Sequence, residues 1–281
     1  FALGRELLVD PGRLSYSLPE YESWCRTTVA HNTVTVGSRN QRSDTGRLLF
    51  YADTPDAAAA LALSDGAYPG ATLRRFVVLA NDLLVDAVAV RDAFPMQIDW
   101  IVHGRGGLTG PTNLTIRLKP LGERDGYPHL ANLQDGVCSR GPVPFTFTLD
   151  SGALWRLWCV NADFRTRLVS GTGIGYRLDD AVPFVLQRRM AEHTLFLNVF
   201  DLSGSGAIAQ VESLPVTDSR GATIPETEAA ALRITGSDGS CRLVALDLDP
   251  KGDRTLSVDG KSFVRWLFSK TIDCETNKPP L

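Results

Sequence analysis

Apolar and polar residues alternate with a period of two through much of this chain, the pattern of strands that bury one face. The alternation is cleanest over residues 97–103, where Ile98, Trp100 and Val102 share one face and Gln97, Asp99, Ile101 and His103 the other. Strands over 74–80 and 84–90 flank Asn81-Asp82, a hairpin turn signal. Further short strands are predicted at 115–118, 145–149, 154–160, 184–189 and 193–200, and again at 207–212, 230–235, 241–248, 254–258 and 262–268. The stretch from Ser23 to Gly37 is crowded with β-branched residues and reads as one strand. On that reading Val34 and Val36 lie on one face, and His31, Thr33 and Thr35 on the other, with Asn32 turned away unless a bulge re-aims it.

One segment is ambiguous. Thr54-Pro55 followed by four alanines is a good helix start, but nucleating so short a helix is costly, and a strand is the better reading. Many short strands at regular spacing predict an all-β fold, a large antiparallel two-sheet β-sandwich (supersandwich) spanning 1–281 as one domain. The break at Ser203-Gly204-Ser205-Gly206 reads as a long loop within it, or as the entry to a smaller terminal sheet.

Composition narrows the function classes. The 281 residues carry a net charge of −3, so the chain lacks the basic footprint of a nucleic-acid binder, and any anion site has to be a local cluster. Five scattered cysteines without a Cys-x-x-Cys pair argue against a disulfide framework or zinc ribbon and for buried thiols. No apolar run approaches the ~20 residues of a membrane helix. The chain opens on Phe1 instead of a start methionine and reads as part of something longer.

Candidate chemistry gathers at few positions. Of the four histidines, His31 and His103 lie on the more polar faces of amphipathic strands, while His129 and His193 read as structural. Asp65 sits between them in the turn-rich run Ser64-Asp65-Gly66-Ala67-Tyr68-Pro69-Gly70. A His31/Asp65/His103 set suits zinc or another divalent metal, with plain hydrogen-bonded histidines as the alternative. Imidazole is also a suitable proton-transfer group, which makes His31 the best candidate for a cleft residue. Arg26 and Asn32 are candidates for holding a carboxylate or hydroxyl, Trp24 for stacking on a sugar ring, and Tyr68 for a reactive phenol, although Tyr68 reads more simply as a turn cap. Gly171-Thr172-Gly173-Ile174-Gly175-Tyr176 lacks a βαβ setting and reads as a turn between strands, with no nucleotide site.

The run from Leu7 to Gln41, with its Leu-Leu-Val-Asp-Pro-Gly, Trp-Cys-Arg-Thr-Thr and Ala-His-Asn-Thr-Val-Thr-Val segments, resembles the heparinase II/III-like domain of polysaccharide lyases such as alginate, oligoalginate and heparin or heparan lyases. The likeness is good over roughly the first hundred residues and general beyond. It implies a periplasmic or secreted parent enzyme that cleaves an acidic, uronic-acid-containing polysaccharide by β-elimination. It also implies a structural metal in a His…Asp…His order like His31, Asp65 and His103. In the family a β-domain histidine and a tyrosine contribute to a cleft whose other wall is an N-terminal helical toroid, which supplies an Asn or His, an Arg and often the catalytic tyrosine, so this chain alone is expected to be inactive. A non-catalytic carbohydrate-binding or structural sandwich is the alternative.

Overall fold

The computed structural model describes residues 1–12 and 14–271. Its frame is a pair of very long antiparallel strands, β5 (Leu83–His103) and β12 (Ala181–Gly204). The short strands expected over 84–90 and 97–103 are one continuous strand, and so are those over 184–189 and 193–200. What looked like a loop between each pair is a bend. Around it the register shifts between Ala191 and His193, and residues 92–95, which include Pro95, go unpaired across the two strands. A bulge increases local twist and redirects a strand without ending it.

The bend turns a single sheet into two packed layers. In the first, β2 (Arg47–Asp53), β3 (Ala57–Ser64) and β4 (Thr72–Ala80) lead to the first half of β5. The late half of β12 then continues into β10 (Leu154–Cys159), β9 (Val143–Thr148) and β6 (Gly107–Thr109). The second layer holds β1 (Val34–Val36), the late half of β5, the early half of β12, β11 (Arg167–Ile174), β8 (Ala131–Val137) and β7 (Thr115–Ile116). Val34, Val36, Ile98, Trp100 and Val102 of the second layer meet Val88, Val90, Phe145, Trp155 and Phe196 of the first in one core. The chain is all-β, and the alternation predicted for 97–103 is the one observed. The hairpin at Asn81-Asp82 is also present, with Ala80 opposite Leu83. The Thr54 segment enters a strand: its hydroxyl donates to Ala57 O at 2.7 Å and closes a turn just before β3.

Beyond residue 207 the chain covers the outer face of the first layer. Strands β13 (Ile208–Leu214), β15 (Ala229–Gly236), β16 (Cys241–Asp247) and β19 (Trp266–Thr271) form a four-stranded sheet. It packs Val211, Leu232 and Val244 on Leu61, Phe76 and Leu197. A small sheet of β14 (Thr217–Asp218), β17 (Leu256–Val258) and β18 (Lys261–Phe263) closes its far side. The outer face of the second layer is covered by irregular chain. Leu14, Trp24, Cys25, Val29 and Ala30, joined by Leu121, Tyr127 and Leu130, pack on Ile101, Val169, Phe184 and Leu186.

That cover corrects two sequence readings. Ser23–Gly37 is not one strand: Tyr21–Cys25 is a wide helical turn, Thr28–Ala30 a tight one, and only Val34–Val36 is a strand. The reason is local hydrogen bonding by hydroxyls and amides, which competes with a ladder. Thr27 Oγ1 donates to Trp24 O at 2.7 Å, the Thr28 amide donates to Asn40 Oδ1 at 2.8 Å, and Thr28 Oγ1 accepts from the Gln41 amide at 2.7 Å. In addition, Gly171–Ile174 belongs to β11 and is not a turn. A side chain at 173 would crowd this packing, because a Cβ there would lie 3.0 Å from the Trp24 ring and 3.2 Å from His103 Cε1.

Candidate functional site

Against the cover segment lies a shallow pocket of about 420 Å³ lined by Asp10, Arg26, Thr28, His31, Asn32, Thr33 and Gln41. His31 follows the tight turn Thr28–Ala30 and is its last, extended residue. Its side chain is 36% exposed. Nδ1 lies 2.7 Å from Asp10 Oδ2, and Nε2 lies 3.0 Å from Cys25 O. Both partners accept hydrogen bonds, so a doubly protonated ring satisfies both, whereas a neutral ring donates to only one.

Asn32 sets the depth of the pocket. Its Nδ2 donates to Val9 O at 3.1 Å and its Oδ1 accepts from the His103 amide at 2.7 Å. Its backbone oxygen accepts from Arg75 Nη1 at 2.8 Å. Arg75 is itself held by a pair of bonds to Asp86, at 2.7 and 3.1 Å, and the Asp86 side chain is only 2% exposed. Asn32 is therefore a clamp between the chain at Val9 and the end of β5. Its Nδ2 and Oδ1 each already have one protein partner, and the residue also lines the pocket.

Four other expected residues are placed elsewhere. Trp24 is fully buried, with its Nε1–H donating to Ile174 O at 2.8 Å, so no sugar can stack on it. Tyr68 is buried too. Its hydroxyl donates to Arg39 O at 3.1 Å and Val34 O at 3.3 Å, and burial pushes the phenol well above its ordinary range, which keeps it protonated near neutral pH. Asp65 is exposed and pairs with Arg47 at 2.6 Å. His103 is 2% exposed, its Nε2 donates to Val29 O at 3.0 Å, and Trp24 and Phe184 pack against its ring. Burial pushes His103 down to about 4, assisted by the nearby charge of His31 and opposed by that of Asp10.

These placements bear on the metal. His31 and His103 share a neighbourhood, but Asp65 is tied to Arg47 and Nε2 of His103 faces the Val29 carbonyl oxygen. No group of three His, Cys, Asp or Glu side chains among the described residues could hold a metal ion. The donor set His31, Asp65, His103 does not fit zinc as arranged.

Arg26 does reach the pocket, held by Glu22 Oε1 and Oε2 at 3.0 and 2.9 Å. Both groups are mostly exposed, a pair that water and salt loosen readily. The residue that sequence reasoning missed is Asp10. In the sequence Asp10-Pro11-Gly12 signals only a turn, and nothing local ties its carboxylate to an imidazole 21 residues on.

The family described as heparinase II/III-like, C-terminal, matches residues 1–157. Among solved structures, the heparan sulfate lyase HepC from Pedobacter heparinus superposes with a TM-score of 0.56 at 15% identity, over 94% of this chain and 35% of that one. A heparinase III gene product does so with a TM-score of 0.58 at 13% identity, over 94% and 34%. At such identities the likeness is one of fold, and the chain spans about a third of the length of these enzymes. No curated protein sequence matches it.

Proposed function

Because the chain belongs to the heparinase II/III-like C-terminal family, we propose that it is the β-domain of a polysaccharide lyase that cleaves a uronic-acid-containing polymer by β-elimination. In that reaction the C5–H bond breaks, its electron pair forms the C4=C5 double bond, and the C4–O4 bond breaks as O4 takes a proton. The observation that carries the reading is the His31 imidazole, half-open to solvent and held by Asp10 in a pocket that also presents Arg26. A protonated Nε2 supplies the proton for the departing O4, and Arg26 exchanges Glu22 for the substrate carboxylate, which stabilises charge developing beside C5. The base that removes the C5 proton belongs to the facing wall, supplied by an N-terminal helical toroid of the parent chain, so residues 1–281 alone are inactive. A periplasmic or secreted location goes with such a substrate.

A second reading, a binding-only module, is favoured by one observation: both ring nitrogens of His31 already have protein partners. One experiment separates the two. The full-length protein is mixed with uronate polymers and the ultraviolet absorbance of unsaturated uronates is followed, beside His31→Ala. Absorbance that grows with the wild type and falls about 10²-fold or more with the variant supports the lyase. Tight polymer binding with no absorbance change in either protein supports the module instead.

A further inference from the structure

Asp10 is the one carboxylate in the His31 pocket, and it comes from a different part of the chain than the rest of the lining. We infer that Asp10 is the positioning residue of this site: it fixes the His31 ring with Nδ1 protonated, so that Nε2 is the atom that exchanges a proton with a bound sugar. The part about proton exchange rests on the lyase reading; the fixed tautomer does not.

The two contacts of the ring differ in kind. Nδ1 meets a carboxylate at 2.7 Å and Nε2 a neutral carbonyl at 3.0 Å. A charge-assisted bond is roughly twice as strong as a neutral one. When the ring carries a single proton, that proton stays on Nδ1, because a lone pair there would face the negative oxygen. In the elimination step the Nε2–H bond breaks and an O4–H bond forms. The ring becomes neutral, and Asp10 keeps its hydrogen bond throughout. Cys25 O is the partner that Nε2 gives up as the sugar enters.

The carboxylate is held in place from both sides. The Gly12 amide donates to Asp10 Oδ1 at 3.1 Å, which leaves Oδ2 for the imidazole. That turn needs Gly12, whose φ is +61° and where a Cβ would lie 3.1 Å from the Tyr176 ring. On the other side, the Val9 amide donates to His103 O at 2.9 Å and Val9 O accepts from Asn32. Asn32 is next to His31, so one amide side chain sets the spacing between the segment bearing the carboxylate and the segment bearing the imidazole.

The test has two arms. Ring nitrogens of His31 are read by long-range ¹H–¹⁵N correlation in the 281-residue chain, with His31→Ala identifying the signals. In the wild type the neutral ring carries its proton on Nδ1; in Asp10→Ala it moves to Nε2, now donating to Cys25 O. Asp10 is exposed, so the variant keeps the fold, and its thermal melt confirms this. In the full-length protein, Asp10→Ala lowers kcat about tenfold or more with KM within about twofold, and Asp10→Glu restores part of it. A neutral ring that keeps its proton on Nδ1 in Asp10→Ala overturns the inference whatever the activity. So does a kcat that Asp10→Ala leaves unchanged. A full-length wild type with no lyase activity overturns the lyase reading and with it the proton-exchange role, while a tautomer that switches still upholds the positioning.

Discussion

Acid should loosen this protein through His103, and the effect can be worked from its surroundings. The ring is 2% exposed, donates Nε2–H to Val29 O, and packs against Trp24 and Phe184 at centroid distances of 5.7 and 5.9 Å. A cation there loses its water, so the folded-state value falls to about 4 from the ordinary 6.5 that the unfolded chain keeps. Because the folded value is the lower one, the unfolded chain binds more protons between those two limits. Stability is therefore whole above pH 6.5 and declines as pH falls toward 4. A displacement of that size is worth about 3 kcal/mol across the window. Asp10 pulls the other way and His31 the same way, so both charges belong to the setting of this titration. The measurement is urea unfolding of the chain at steps from about pH 7.5 to about pH 4, wild type against His103→Gln. Glutamine keeps a donor for Val29 O but does not titrate. The wild type is expected to lose about 3 kcal/mol more than the variant over this range. Carboxylates held low by arginine, such as Asp135 and Asp180, titrate alike in both proteins and cancel. Parallel curves for the two proteins would refute the reasoning.

Three further outcomes follow from the same geometry. Arg188 binds the fully buried Asp99 through two bonds of 2.8 and 2.7 Å, so Arg188→Met leaves that carboxylate with Tyr127 and Gln97 and costs about 3–5 kcal/mol in urea unfolding. The pair Asp99→Asn with Arg188→Met recovers part of that loss; a single variant indistinguishable from wild type contradicts the account. Trp24→Ala removes a fully buried indole and costs about 3–5 kcal/mol, while the affinity of the fraction that stays folded for a uronate polymer is unchanged in a binding titration. Asp65→Ala breaks only an exposed pair with Arg47, so stability stays within about 0.5 kcal/mol and elemental analysis finds the same metal content as the wild type; metal lost on this substitution would reinstate the His31, Asp65, His103 site.

Legibility in the sequence followed the range of the interaction. The alternation at Ile98, Trp100 and Val102 and the Asn81-Asp82 turn are set by neighbours in sequence, and both were readable. The bend in β5 and β12 was not, because Asp92 and Pro95 look like the punctuation of a loop until a second strand pairs on either side of them. Residues 23–33 misled for a related reason. Threonine counts toward strand formation by its branched shape, yet here Thr27 and Thr28 bond the nearby backbone and curl the chain. Trp24 looked free to stack beside Arg26, since the β11 residues it packs on and bonds, Gly173 and Ile174, lie some 150 residues away. His31 was legible as an outward imidazole, but its partner Asp10 was hidden behind a turn motif.

This separation between local and distant causes also explains why the pocket is preformed. Trp24 and Val29 anchor the cover segment in the core, Asn32 clamps it to Val9 and β5, and His31 is left between anchors with its ring turned outward. A ligand meeting such a site does not have to order it, and that ordering cost is subtracted from affinity wherever a loop is loose. The same arrangement couples function to the buried ring beneath it. The backbone amide of His103 bonds Asn32, while its side chain bonds Val29, so this one residue touches both ends of the turn that carries His31. Substitutions at Asn32, His103 and Asp10 therefore act along one coordinate, the distance from Asp10 to His31, and their effects on the site should fall short of the sum of the single changes.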